Sequence, residues 1–177
     1  PSYFEKPHQR QYKNGDELTI GGKTFKLFIS KKATKGSSGK IHGENLFLEI
    51  SGYAPEDEQR EHTATLISRL VGHHFQPIIR QRLEELNAQF FNRPFKQVRL
   101  KNNSSNWGSC SGRGNINIST RLLFAPPDVI DYVLIHELAH LIQPNHSPAF
   151  WKLVSDAMPD YKEKEKWLKG NGKMCRF

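Results

Sequence analysis

Cysteine is almost missing from this chain, with Cys110 and Cys175 the only two in 177 residues. A secreted domain stapled by disulfides usually carries more, so the sequence points to a reducing, cytoplasmic setting and to inert thiols. Long apolar runs are missing too. No stretch approaches the roughly 20 residues that a membrane span needs, and no apolar leader opens the chain. A membrane partner is therefore not expected. Internal repeats are absent, which removes solenoid and propeller architectures. Carboxylates are in deficit, with 18 Asp and Glu against 26 Lys and Arg, a formal charge of +8. The excess is spread along the chain, so it reads first as a solvated basic surface. It also leaves room for a nucleotide or nucleic-acid partner. Nothing in the pattern speaks to oligomeric state.

What is present is enough for one domain over 1–177 with a core of its own. Residues 1–15 are polar and aperiodic, and read as a flexible or loosely docked tail. Two β-rich runs from Glu17 to Ile29 flank Gly21-Gly22, a hairpin signal. Lys31 to Lys40 reads as a loop, and Leu46 to Ile50 as a further strand. These pieces predict an N-terminal antiparallel sheet. From Pro55 the period becomes helical, with Leu66, Ile67, Leu70, Val71 and Phe75 in register. Pro77 should break this helix, leaving the paired His73 and His74 near its end and a second helix through Phe91. Val98 to Leu100 is a strand. Trp107 to Cys110, the turn at Gly112-Arg113-Gly114 and the alternating Asn115-Ile116-Asn117-Ile118 predict a hairpin with Ile116 and Ile118 inward. Pro126-Pro127-Asp128 opens a helix that ends by Pro144, and shorter helices follow at 147–157 and 162–169.

The segment that carries chemistry is His136-Glu137-Leu138-Ala139-His140. On a helix, residues four apart share one face, so both imidazoles can hold one tetrahedral zinc ion. Glu137 is then placed beside the bound water as general base. A catalytic zinc needs a third protein ligand and an open position. His146 stands ten residues after His136, and Pro144-Asn145 can turn the chain back toward the metal. Zinc proteases with HExxHxxGxxH share this spacing. Here Gln143 replaces their glycine, so the turn must differ.

Four runs occur in order: Trp107-Gly-Ser-Cys, Gly114-Asn-Ile-Asn, Tyr132-Val-Leu-Ile-His-Glu-Leu-Ala-His-Leu and Asn145-His-Ser-Pro-Ala-Phe-Trp. Together they resemble the YgjP-like metallopeptidase family, a zincin group related to the WLM and SprT-like proteases. The resemblance is close over 98–169, the metal-site core. It implies a zincin-like α+β fold: an N-terminal sheet, a helical region, an active-site helix carrying HExxH and a C-terminal helical segment. It also implies that His136, His140 and His146 hold zinc and that Glu137 is the base. The family's basic residue before Trp107 is replaced by Asn106, which puts any contact of that residue in question.

Neighbouring residues have bounded roles. Phe150 and Trp151 read as packing that fixes His146, and Trp107 as packing as well. Asp131 and Asp156 are candidates to orient the histidines. The strand Gly114–Ile118 is the expected place for an extended peptide to add, with Asn115 and Asn117 as candidate substrate contacts. The activity expected is peptide or protein hydrolysis. The alternatives are a metal-dependent nucleoside triphosphate pyrophosphatase or phosphohydrolase, a DNA-associated protease of the SprT-like kind, and a metal-stabilised binding module without catalysis.

Overall fold

The computed structural model describes residues 10–177. Strands β1 (Glu17–Ile20), β2 (Lys23–Lys32), β3 (Ser38–His42) and β4 (Asn45–Ser51) form one sheet in the order β1-β2-β4-β3. The β1–β2 hairpin turns at Gly21 and Gly22, both at positive φ. Gly21 is doubly required, because a Cβ there would collide with the Phe75 ring. Leu18, Ile20, Phe25, Leu27, Leu46, Leu48 and Ile50 alternate inward and are buried.

The sheet is mixed, not antiparallel as expected. β4 turns back on β3 through Gly43, so β3 lies outside it and β4 runs parallel to β2. The loop read over Lys31 to Lys40 shrinks to 33–37, since β2 continues to Lys32 and β3 starts at Ser38. The segment 10–15 is docked. The Asn14 side chain accepts the Ile29 backbone N–H at 2.9 Å, and Arg10 lies over the Phe124 ring at 4.8 Å. The remainder of the expected tail, residues 1–9, lies outside the described residues.

One helix, α1 (Glu56–Phe90), carries both sheets. It runs straight through Pro77, where a break was expected, and His73 and His74 sit mid-helix. The reason lies in the packing. Val71, Phe75, Ile79, Leu83 and Leu86 form an unbroken buried stripe across the proline. Each such side chain contributes roughly 1.5–3 kcal/mol by burial, against a proline cost of about 3 kcal/mol. Pro77 itself is exposed, as is His73, the residue whose carbonyl loses its partner, so water can satisfy that group.

The second sheet holds β5 (Val98–Lys101), β6 (Gly108–Cys110) and β7 (Ile116–Ser119) in the order β5-β7-β6. Ile116 and Ile118 face inward, as their alternation predicts. A 3-10 turn (Thr120–Phe124) leads to α2 (Pro127–Ala139), and Thr120 shares a buried hydroxyl hydrogen bond of 2.9 Å with Ser68 of α1. Helices α3 (Pro148–Ala157) and α4 (Tyr161–Asn171) close over α2. The α+β architecture is the one expected. No helix is long and apolar enough to cross a membrane among the described residues.

Because the buried stripe and not local propensity holds α1 together, Pro77→Ala should stabilise the protein by about 1–3 kcal/mol in urea unfolding. A destabilised variant would show that the proline is needed in the native helix.

Candidate metal centre

Helix α2 is buried on nearly every side: Val129, Ile130, Tyr132, Val133, Leu134, Ile135, Leu138 and Ala139 are all core residues. Pro127 stands in its first turn, where no N–H is required. At its C-terminal end His136, Glu137 and the C-cap His140 line a cleft of about 670 Å³. The helix ends at His140, and Gln143 N–H donates back to the Ala139 carbonyl at 2.9 Å. The chain then turns through Pro144 and Asn145 into α3. The Ser147 hydroxyl accepts the Phe150 N–H at 3.3 Å as an N-cap, with Pro148 next. This cap positions His146 just ahead of α3.

The three imidazoles converge. His146 Nε2 lies 3.1 Å from His136 Nε2 and 3.2 Å from His140 Nε2. Imidazole nitrogens about 2.0–2.1 Å from a tetrahedral ion would stand roughly 3.3–3.4 Å apart, so the spacing suits such an ion. The tautomer agrees. His140 Nδ1 is 3.0 Å from the Gln143 carbonyl oxygen, which can only accept. Nδ1 therefore donates its proton, and Nε2 presents a bare lone pair to the shared point. Burial, then the neighbouring His140 and His146, hold His136 down to about 4. Burial lowers His140 as well. Neutral rings are what a metal requires.

Glu137 is 4% exposed, and its Oε2 has no hydrogen-bond partner. Burial pushes its carboxyl up to about 8. A buried polar atom without a partner is costly, and this one belongs to a residue that lines the same cleft as the three imidazoles. Gly108 makes room for it. A Cβ there would stand 3.0 Å from Glu137 Cγ and 3.1 Å from Oε1.

Phe150, fully buried, touches all three rings. It stacks on His140 at 4.4 Å between centroids and meets His136 and His146 edge-on at 4.9 Å each. Trp151 stacks on His146 at 5.9 Å and on Tyr161 at 5.3 Å, which ties α3 to α4.

A family model described as YgjP-like, metallopeptidase domain, matches residues 2–171. The chain belongs to the YgjP-like family. Among solved structures it is similar to the metallopeptidase zymogen of Pyrococcus abyssi abylysin, at 27% identity and TM-score 0.49, over 55% of this chain and 96% of that one. It is also similar to the metallopeptidase zymogen of Methanocaldococcus jannaschii jannalysin, at 16% identity and TM-score 0.46, over 52% of this chain and 94% of that one. No curated protein matches the chain.

Within this YgjP-like metallopeptidase domain, two sequence expectations are corrected. Asp131 and Asp156 do not orient the histidines. Asp131 takes a bidentate pair from Arg82 at 2.9 and 2.8 Å, and Asp156 pairs with Lys152 at 2.8 Å. The Gln143 carbonyl does that work for His140. Strand β7 cannot accept a peptide strand, because β5 and β6 pair with it on both sides. Asn115 and Asn117 are half-buried and do not line the metal cleft, and Asn117 Nδ2 donates to Ser109 Oγ at 3.3 Å. The free edge of this sheet on the cleft side belongs to β6.

Sequence reasoning did not find Arg121. Its guanidinium lies 4.6 Å over the Trp107 ring. It donates to the carbonyls of Cys175 at 2.7 Å, Gly172 at 3.0 Å and Ser104 at 3.1 Å. It thus fastens the C-terminal turn to the loop before β6. Asn106 accepts from Asn103 at 2.7 Å. The Cys110 thiol is pushed up to about 11 by burial and by Glu137, so it stays protonated.

Phe150→Ala should lower stability by about 3–5 kcal/mol in urea unfolding, since the side chain is fully buried among the three rings. A loss below about 1 kcal/mol would show that the histidines keep their places without it.

Proposed function

We propose that this chain is a zinc peptidase in which His136, His140 and His146 hold the ion and Glu137 is the general base. The observation that carries the reading is the convergence of three imidazole nitrogens in a cleft that also holds a buried carboxyl whose Oε2 has no partner. Bound zinc would supply Lewis acidity and a hydroxide-strength nucleophile at neutral pH. Glu137 Oε2 accepts the proton of the attacking water and delivers it to the departing amine. The Gln143 carbonyl holds His140 in the ligating tautomer, and Phe150 keeps the rings from rotating away. Tyr132, held protonated by burial and lining the same cleft, keeps the wall apolar apart from its hydroxyl.

A peptide is the substrate that fits this cleft. Strand β6 offers an unpaired edge along it, and an extended peptide can add there through main-chain hydrogen bonds. A nucleoside triphosphate would need clustered cations. Lys169 is the one Lys or Arg lining the cleft among the described residues, and it pairs with Glu165 at 3.5 Å.

Mass spectrometry of the purified chain should find about one zinc per chain, with binding much weakened in His146→Ala. No metal after zinc is supplied would end the reading. Glu137→Gln should retain zinc and lose about 10²–10⁴-fold in peptide hydrolysis. Gly108→Ala should also retain zinc and hydrolyse more slowly, because its Cβ displaces Glu137. Wild-type hydrolysis by Glu137→Gln would remove Glu137 as the base.

A further inference from the structure

A second cavity of about 720 Å³ lies between the edges of the two sheets, floored by α1 and away from the metal cleft. Arg69 and His73 reach it from one face of α1, and Arg99 and Lys101 from one face of β5. No carboxylate lines it. Arg69, Arg99 and Lys101 form no ion pair among the described residues, whereas the arginines of α1 at positions 60, 80 and 82 all do. At Lys101 the cavity meets a smaller trough of about 310 Å³ lined by Asn103, Asn106, Ser109 and Asn117, again without a carboxylate. Asn106 and Ser109 also line the metal cleft. One basic, amide-lined path therefore runs from α1 to the mouth of the candidate active site.

We infer that this path binds an acidic, extended segment of the protein substrate, holding it while the neighbouring peptide enters the metal cleft. The inference rests on the peptidase reading above. Charge complementarity names the class: unpaired guanidinium and ammonium groups without competing carboxylates attract Asp and Glu side chains. Spacing agrees, because Arg99 and Lys101 are two residues apart on a strand, roughly 6.6 Å, which is the repeat of carboxylates at alternate positions of an extended peptide. His73 is the one aromatic ring of the lining, with no Phe, Tyr or Trp to form a row on which successive bases could stack, and this favours polypeptide over single-stranded nucleic acid. The amides of Asn106 and Asn117 suit a peptide backbone on its way to β6. This gives Asn117 a place on the substrate path, on the outer face of the sheet and not at the metal.

The test is fluorescence anisotropy with the zinc-loaded chain carrying Glu137→Gln, which binds without turnover. The probes are a peptide with Glu at alternate positions, the same peptide with Gln in their place, and an oligothymidylate. The acidic peptide should bind about 10-fold more tightly than its Gln counterpart, and the gap should close as salt rises above about 0.3 M. Arg69→Glu with Arg99→Glu should abolish the preference, and the milder Arg69→Gln with Arg99→Gln should reduce it about 3-fold. Lys23→Glu, at the distant β1–β2 turn, should leave it intact. Equal binding of both peptides, or a preference that survives the double charge reversal, overturns the inference. So does tighter oligothymidylate binding lost in the same double variant, which would give the path to nucleic acid. If the acidic probe binds and the variants lose it while the wild-type chain cleaves no peptide, the path stands and the peptidase reading falls. If peptides with and without acidic segments are cleaved and bound equally, the reverse holds.

Discussion

The candidate site depends on α2 being buried almost all the way round. A cleft reaches the helix at its C-terminal end, where His136, Glu137 and His140 line it, while Asp131 on another face meets Arg82. Burial then sets their chemistry. It keeps the imidazoles neutral, and therefore able to ligate, and it raises the proton affinity of Glu137. One cause thus acts on both helix imidazoles and on the carboxyl. Its cost is a carboxyl oxygen taken out of water without a partner, of a size that the dense apolar contacts of α2 can offset.

The third histidine is fixed by other means. His146 is exposed and lies on the turn between α2 and α3, so helix geometry alone does not aim it. Three local features do. The Gln143 carbonyl anchors the turn to His140, the Ser147 hydroxyl starts α3, and Phe150 packs under all three rings. The zinc proteases whose spacing this segment shares have glycine at that point of the turn. Gln143 contributes through its main chain, which explains how another side chain can stand there. Opposite, Arg121 holds the C-terminal turn against Trp107 and so fixes the loop that leads into β6. The far wall of the cleft is thereby built from residues distant in sequence.

Periodicity made most of the elements legible. The Gly21-Gly22 hairpin, the inward Ile116 and Ile118, the helix opening at Pro127 and the short helix capped by Ser147 all follow from local chemistry, and all are present. The errors share a cause as well. Pro77 is a strong local signal overruled by a buried stripe that only the assembled sheets create. The parallel pairing of β2 with β4 depends on β3 folding to the outside, and nothing local selects that. Asp131 and Asp156 were plausible partners for the histidines until Arg82 and Lys152 proved nearer.

By itself the sequence determined which side chains could form a metal centre. HExxH on an apolar helix puts two imidazoles and a carboxyl within one turn, and a short Pro-containing turn limits where a third imidazole can lie. Those are short-range facts set by backbone geometry. Only the tertiary structure decided which strand has a free edge, which carbonyl sets the His140 tautomer, that Gly108 leaves space for Glu137, and that Arg69, Arg99 and Lys101 gather in one groove. Each of these joins residues far apart in the chain, and the pattern of one strand or helix carries no information about which neighbour it will meet.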